Sequence, residues 1–248
     1  MTWASPKTLD PVDNRGSALT PWSCNNPYAL PPAPLPHEPA ADVQAALTAL
    51  TRPESRTHVD PREPLDLHNL HLAGANLTGA DLTKADLRGA TLTRATLSGV
   101  TLTRADLTAA TLTEANLNGA TLNHVSLSGA TLKYVFLEGA TLNHVTLLAA
   151  KLTRVYLLSA TLNHVTLSGA KLTTVYLNDA TLTRVDLSWA TLNHVAFFGT
   201  TLADINLSCA DLSGALGLTV AQAVSARTDE KTKLPSRFYP RTEIAEEA

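Results

Sequence analysis

The stretch Ala85-Asp86-Leu87-Arg88-Gly89-Ala90-Thr91-Leu92-Thr93-Arg94-Ala95-Thr96-Leu97-Ser98-Gly99 decides the fold. Its leucines fall five residues apart, and each has a small residue two positions before it. Outward from here, a leucine, or Phe197 in its place, occupies every fifth position from Leu72 to Leu212, making twenty-nine pentads. The residue two before is Ala or Val, apart from Leu70, Thr200 and Ile205. A five-residue period fits neither the 3.6-residue helix nor the two-residue strand, so the chain must turn once per pentad. If the leucine and the small residue both point inward, each pentad makes one flat side and one corner. Four pentads then close a square coil, and coils stack by backbone hydrogen bonding about 4.8 Å apart. This predicts about seven coils and a rod about 34 Å long. Leu102, Leu122, Leu142, Leu162 and Leu182 form one inward core column, and the stack has edges only at its two ends.

In the triplets Ala75-Asn76-Leu77 and Ala85-Asp86-Leu87 the middle residue is Asn or Asp, and Asp81, Asp106, Asn116, Asp186, Asn206 and Asp211 hold the same position. With these residues the sequence resembles the pentapeptide-repeat family over about residues 65 to 216. The resemblance implies an all-β solenoid, a right-handed quadrilateral β-helix, which we expect to carry short helical caps. The triplets Thr121-Leu122-Asn123 and Lys171-Leu172-Thr173 depart from the motif, but Thr favours extended backbone and leaves the fold expectation intact. The segment Asp42-Val43-Gln44-Ala45-Ala46-Leu47 also looks like one found in actinobacterial members of unassigned function. Some family members protect a type II DNA topoisomerase by imitating duplex DNA, so DNA gyrase is an implied partner to weigh. The signature identifies a scaffold and no activity.

The formal charge of the 248 residues is -3, and within residues 65–216 ten acidic side chains oppose nine Lys or Arg. No basic stripe predicts direct nucleic-acid binding, and this balance counts against a strongly acidic DNA mimic. Cys24 and Cys209 are too few for a disulfide framework, which favours a cytoplasmic protein. The start Met1-Thr2-Trp3-Ala4-Ser5-Pro6 has no signal-peptide pattern, and no run of eighteen apolar residues suggests a membrane span.

Residues 1–38 read as a Pro-rich irregular arm and 39–64 as a capping helix with a connector. In that helix Val43, Ala46, Leu47 and Leu50 share the face expected to cover the first coil. Residues 65–216 form the β-helix. Residues 217–248 read as a second capping helix, N-capped by Thr219, and a tail, with Leu218, Val220 and Val224 closing the top coil.

Positions twenty apart should stack, so the array can be read as four side surfaces. On one, His124, His144 and His164 form a polar ladder with Arg104 and Arg184 at its ends. Imidazole is a metal ligand, but parallel side chains on stacked coils with few nearby carboxylates read as solvent-exposed, and no metal or other cofactor is expected. Another surface carries Phe136, Tyr156, Leu158, Tyr176 and Phe198, an aromatic strip that should be covered by something. Its occupant is either the chain's own ends, which supply Trp3, Trp22, Tyr28, Phe238 and Tyr239, or a partner protein or second copy.

Catalysis needs unlike groups converging on a pocket, whereas this array repeats like groups along convex walls, so no catalytic residues are assigned. The sequence therefore predicts a non-catalytic protein-interaction scaffold using the aromatic strip. The alternative is a DNA mimic that protects or inhibits DNA gyrase, and a small-molecule-binding or enzymatic β-helix ranks below both.

Overall fold

The computed structural model describes residues 38–51 and 64–238. The expected Pro-rich arm, the connector at 52–63 and the tail beyond 238, with Trp3, Trp22, Tyr28 and Tyr239, lie outside the described residues.

Every fifth residue from Asn69 to Cys209 has a positive φ, between 52° and 69°, and twenty of these corner residues are not glycine. A left-handed conformation costs a non-glycine residue about 1–2 kcal/mol, so these corners are held by what surrounds them. The pentad Asp81–Ala85 shows how. Leu82 N–H donates to Thr101 O at 2.8 Å, Lys84 N–H to Thr103 O at 2.8 Å, and Ala85 N–H back to Leu82 O at 3.0 Å. Asp81 N–H reaches Thr51 O at 2.8 Å, and Thr83 N–H is accepted by the Asp81 carboxylate at 2.9 Å. All five amide donors are satisfied, as close packing requires. The same turn cap, a side-chain oxygen taking the N–H two residues ahead, recurs at Asp86, Asp106, Asn116, Asp186 and Asn206. This is the physical reason for Asp or Asn at the second motif position.

The result is a parallel β-solenoid with four sides per twenty-residue turn. On one side β1 (Thr121–Asn123), β3 (Thr141–Asn143), β5 (Thr161–Asn163), β7 (Thr181–Thr183) and β9 (Thr201–Ala203) pair in sequence. On another, β2 (Thr131–Lys133), β4 (Lys151–Tyr156), β6 (Lys171–Tyr176), β8 (Thr191–Ala196) and β10 (Asp211–Leu216) do the same. The register is twenty residues, as in Leu122↔Leu142↔Leu162↔Leu182. Strand-bearing turns number about five, against the expected seven coils, because below Thr121 the ladder is carried by single bridges such as Asp66↔Asp86 and Asp86↔Asp106.

Leu102, Leu122, Leu142, Leu162 and Leu182 are at most 2% exposed, and the small residues beside them are equally buried. Ile205 and Thr200 are also buried, but Leu70 points outward. The axis retains a void of about 20 Å³ lined by leucines, including Leu132, Leu142 and Leu152, room for little more than one water.

Helix α1 (Ala41–Thr51) covers the lower end by imitating a missing coil. The Gln44 amide donates to Asn76 O and accepts from Asn76 N–H, both at 2.8 Å. Thr51 O supplies the acceptor for Asp81. The buried face is Leu47 and Thr51, whereas Val43, Ala46 and Leu50 are exposed. The expected apolar face is therefore corrected: the open ladder edge needs hydrogen-bonding partners as much as apolar cover, and docking Gln44 and Thr51 on it turns Val43 and Leu50 away.

At the upper end, Thr219 N-caps α2 (Val220–Ser225) through a capping box with Gln222, whose amide also donates to Thr200 O at 2.8 Å. Leu218 and Ala223 are buried, but Val220 and Val224 are 63% and 78% exposed. The expectation that both valines close the top coil fails because the helix is only six residues long and turns a single residue, Ala223, inward. Beyond it, Arg227 N–H and Lys233 N–H continue the ladder onto Ile205 O and Ala210 O. The partly buried Leu234 and Phe238 pack against the core.

Candidate functional site

Strands β4 and β6 run round a corner, and this sets the geometry of the site. Their first residues, Lys151 and Lys171, pair in register on one side of the rod, and their last residues, Tyr156 and Tyr176, pair on the next. Bridges extend the second column down to Phe136 and Asn116 and up through Ala196 to Leu216. Phe136, Tyr156 and Tyr176 stack in succession with centroids 5.1 Å apart and planes 8–9° from parallel. Ring faces therefore press on one another, and ring edges and the tyrosine hydroxyls face outward.

Leu158 lies half-buried on the same side, while Phe136 is 42% and Phe198 53% exposed. Phe198 lies against Gly217, where a Cβ would come within 2.7 Å of the Phe198 backbone nitrogen and 2.8 Å of its ring. With φ at +73°, only glycine suits that place. The exposed Leu216 extends the strip upward, and the side-chain oxygen of Asn178, on the same side, is buried without a hydrogen-bond partner.

A basic cluster adjoins the strip. Tyr134 sits at the corner before Phe136, with Lys133 Nζ 5.4 Å and the Arg154 guanidinium carbon 5.1 Å from its ring centroid. Arg154 also donates to the Tyr134 hydroxyl at 2.7 Å. Sequence reasoning missed this cluster because it read the flat sides separately. The pair Tyr134 and Arg154, twenty residues apart at a corner position, was the available signal.

The polar ladder forms as a true stack: His124 on His144 at 4.7 Å and His144 on His164 at 4.5 Å, within 10° of parallel. Arg184 donates to His164 Nε2 at 3.1 Å, so His164 accepts as the neutral ring. Burial, then the neighbouring His144 and Arg184, push the His164 pKa down. Arg104 occupies the same corner one coil below His124. Parallel rings aim their nitrogens alike, so the ladder does not converge on a point as a metal centre does.

Among the described residues, Asp66, His68 and Asp86 bring three ligand-type atoms within 4.8 Å of one another. Arg88 forks onto Asp86 at 2.8 and 2.5 Å, and this hydrogen-bonded pair lowers the Asp86 pKa to about 2. A guanidinium already neutralises that carboxylate. Cys209 donates its thiol proton to Asp229 at 3.1 Å, which raises the thiol pKa, the opposite of an activated thiolate. The exposed Trp189 lies beneath Lys231 of the upper end, with Nζ 5.7 Å from the ring centroid. No described helix is long and apolar enough to cross a membrane.

Several solved structures are similar to this chain. HetL, a pentapeptide repeat protein involved in heterocyst differentiation regulation from the cyanobacterium Nostoc sp. strain PCC 7120, is 29% identical, with 64% of this chain and 82% of that chain covered at a TM-score of 0.24. A trypsin-treated form of QnrB1, a plasmid-mediated fluoroquinolone resistance protein, is 17% identical, with 67% and 91% covered at 0.31. A pentapeptide repeat protein from the Arabidopsis thaliana thylakoid lumen is 27% identical, with 48% and 76% covered at 0.24. No curated protein gives a significant match. The pentapeptide-repeat pattern matches residues 66–99, 92–129, 122–157 and 160–197, in eight copies. With more than half its length in register with that pattern, the chain belongs to the pentapeptide-repeat family.

Proposed function

We propose that this chain is a non-catalytic protein-interaction scaffold that binds a partner protein, or a second copy of itself, through Phe136, Tyr156, Leu158, Tyr176 and Phe198. The observation that carries this reading is the aromatic stack on a rigid ladder, with Phe136 exposed and Tyr156 and Tyr176 half-buried. Rings already fixed by their neighbours lose little freedom on binding, and aromatic anchors dominate many interfaces. The alternating outward positions are convex and repeat like groups, which favours recognition over chemistry. The scarcity of cysteine, Cys24 and Cys209 in 248 residues, favours a cytoplasmic, reducing setting.

The test is the double variant Tyr156→Ala with Tyr176→Ala, compared with wild type by circular dichroism, light scattering and co-purification of cross-linked partners. We expect coils that still fold and a specific adduct or dimer that disappears. An unchanged adduct pattern and oligomeric state would refute the strip as the binding surface.

DNA gyrase is the competing partner suggested by family membership. A duplex mimic needs a strongly negative face, whereas residues 119–178 carry four cations, Lys133, Lys151, Arg154 and Lys171, and one carboxylate, Glu138. A supercoiling assay with and without a gyrase poison separates the two readings, and we expect no inhibition or protection.

A further inference from the structure

The basic cluster and the aromatic strip share strands, and together they specify what kind of partner fits. Lys151 and Lys171 stand side by side on β4 and β6, five residues before Tyr156 and Tyr176, about 16 Å of extended backbone away round one corner. Lys133 and Arg154 gather on Tyr134 between them. Ion pairs among the described residues involve other cations, such as Arg88, Arg94, Arg184 and Lys233. Lys133, Lys151, Lys171 and Arg154 therefore form a net positive patch beside the aromatic strip, outnumbering Glu138, the one carboxylate in residues 119–178.

Resting on the reading of the strip as a recognition surface, we propose that this corner takes an acidic peptide segment with interspersed aromatic or aliphatic side chains, presented by a partner protein. Carboxylates meet Lys151, Lys171 and Arg154, and apolar side chains pack on the edges of Phe136, Tyr156 and Tyr176. Single-stranded nucleic acid would also answer the charge, but it gains most by stacking bases on free ring faces. Here each inner face is covered by the next ring 5.1 Å away, with no gap for a base.

The experiment is fluorescence anisotropy of the full chain with a labelled peptide of about twelve residues alternating Glu with Phe or Leu, beside an oligothymidylate of about the same length. The peptide should bind, more weakly as salt rises, and Lys151→Glu with Lys171→Glu should weaken it at least about tenfold. Tyr156→Ala with Tyr176→Ala should do the same, whereas Arg94→Ala on the lower coils should not change it. No peptide binding at millimolar concentration, or tighter binding of the oligothymidylate, overturns the proposal. Loss with the tyrosine pair but none with the lysine reversal overturns it too, while leaving the strip itself as the recognition surface. Charge reversal at Glu243, Glu246 and Glu247 tests the chain's own tail as occupant, and a tenfold gain in peptide affinity from it would overturn a partner in trans.

Discussion

The lower coils, residues 65–118, and the upper coils, 119–200, share one register, one leucine core and the same left-handed corners but differ in the residue beside each corner and in what they present outward. Below, the inward residue after each charged or polar corner is Ala, as at Ala85, Ala95, Ala105 and Ala115, and the ladder consists of single bridges. Above, the equivalent residue is Val, from Val125 to Val195, all at most 1% exposed, and three- or six-residue strands appear. In β4, β6 and β8 the strand passes through Val155, Val175 and Val195, whose stiff side chains suit extended backbone, while the corner residues before them keep the left-handed φ of the lower coils. Outward positions change with it. Asp86 and Arg88 or Arg94 and Glu114 pair across the lower surface, while stacked rings and unmatched lysines occupy the upper one. The lower coils behave as a satisfied solvent surface, and the upper coils as a stiffened one with unused binding capacity.

The sharpest way to break this comparison is at what the halves share. Leu92→Ala and Leu142→Ala should each cost about 2–5 kcal/mol in urea unfolding, because both side chains are fully enclosed. A small loss at either would show that its half is not packed around leucine. Next in size is Val155→Ala, which should lose about 1.5 kcal/mol from two buried methyl groups. It should also speed several amide exchanges along β4 while leaving those of the lower coils, where Ala already occupies the equivalent positions, unchanged.

Corner strain should be equal in both halves. Ala109 and Ala149 have φ of 58° and 52°, and their neighbours in the same column, Gly129 and Gly169, would offer a Cβ nothing to touch. Ala109→Gly and Ala149→Gly should therefore each raise stability by about 0.5–1 kcal/mol, the left-handed penalty less the entropy of glycine. A fall in melting temperature at one site alone would assign its Cβ a contact.

The smallest effect is confined to the upper coils. The folded state holds His164 below its ordinary value of 6.5, through burial, His144 and Arg184. The unfolded chain then takes up the proton first, so the contribution of neutral His164 is present above about pH 6.5 and declines as pH falls through the lower folded value. His164→Gln should flatten the fall in melting temperature on acidification, and an unchanged profile would exclude the ladder as its cause.

Much of this was legible in the sequence. The five-residue leucine period specified the core, and the twenty-residue spacing placed Phe136 under Tyr156 and His124 under His144, because a side chain in a closed coil has little choice of direction. The ends were not legible in this way. Gln44 binds Asn76 as a strand would, a role fixed by an open ladder edge that no hydrophobic pattern reveals. Leu216 joined the strip by pairing with Ala196 past the last leucine of the period, and Tyr134 was overlooked because the flat sides were read separately.

The central claim is that recognition belongs to the upper coils. The direct measurement is site-specific photo-crosslinking in the organism that makes the protein, with a photoreactive phenylalanine at Tyr156 or at Thr96, three coils below it on the same column. The account predicts one discrete protein adduct from position 156 and none from 96. Adducts of equal yield from both, or from 96 alone, would contradict it.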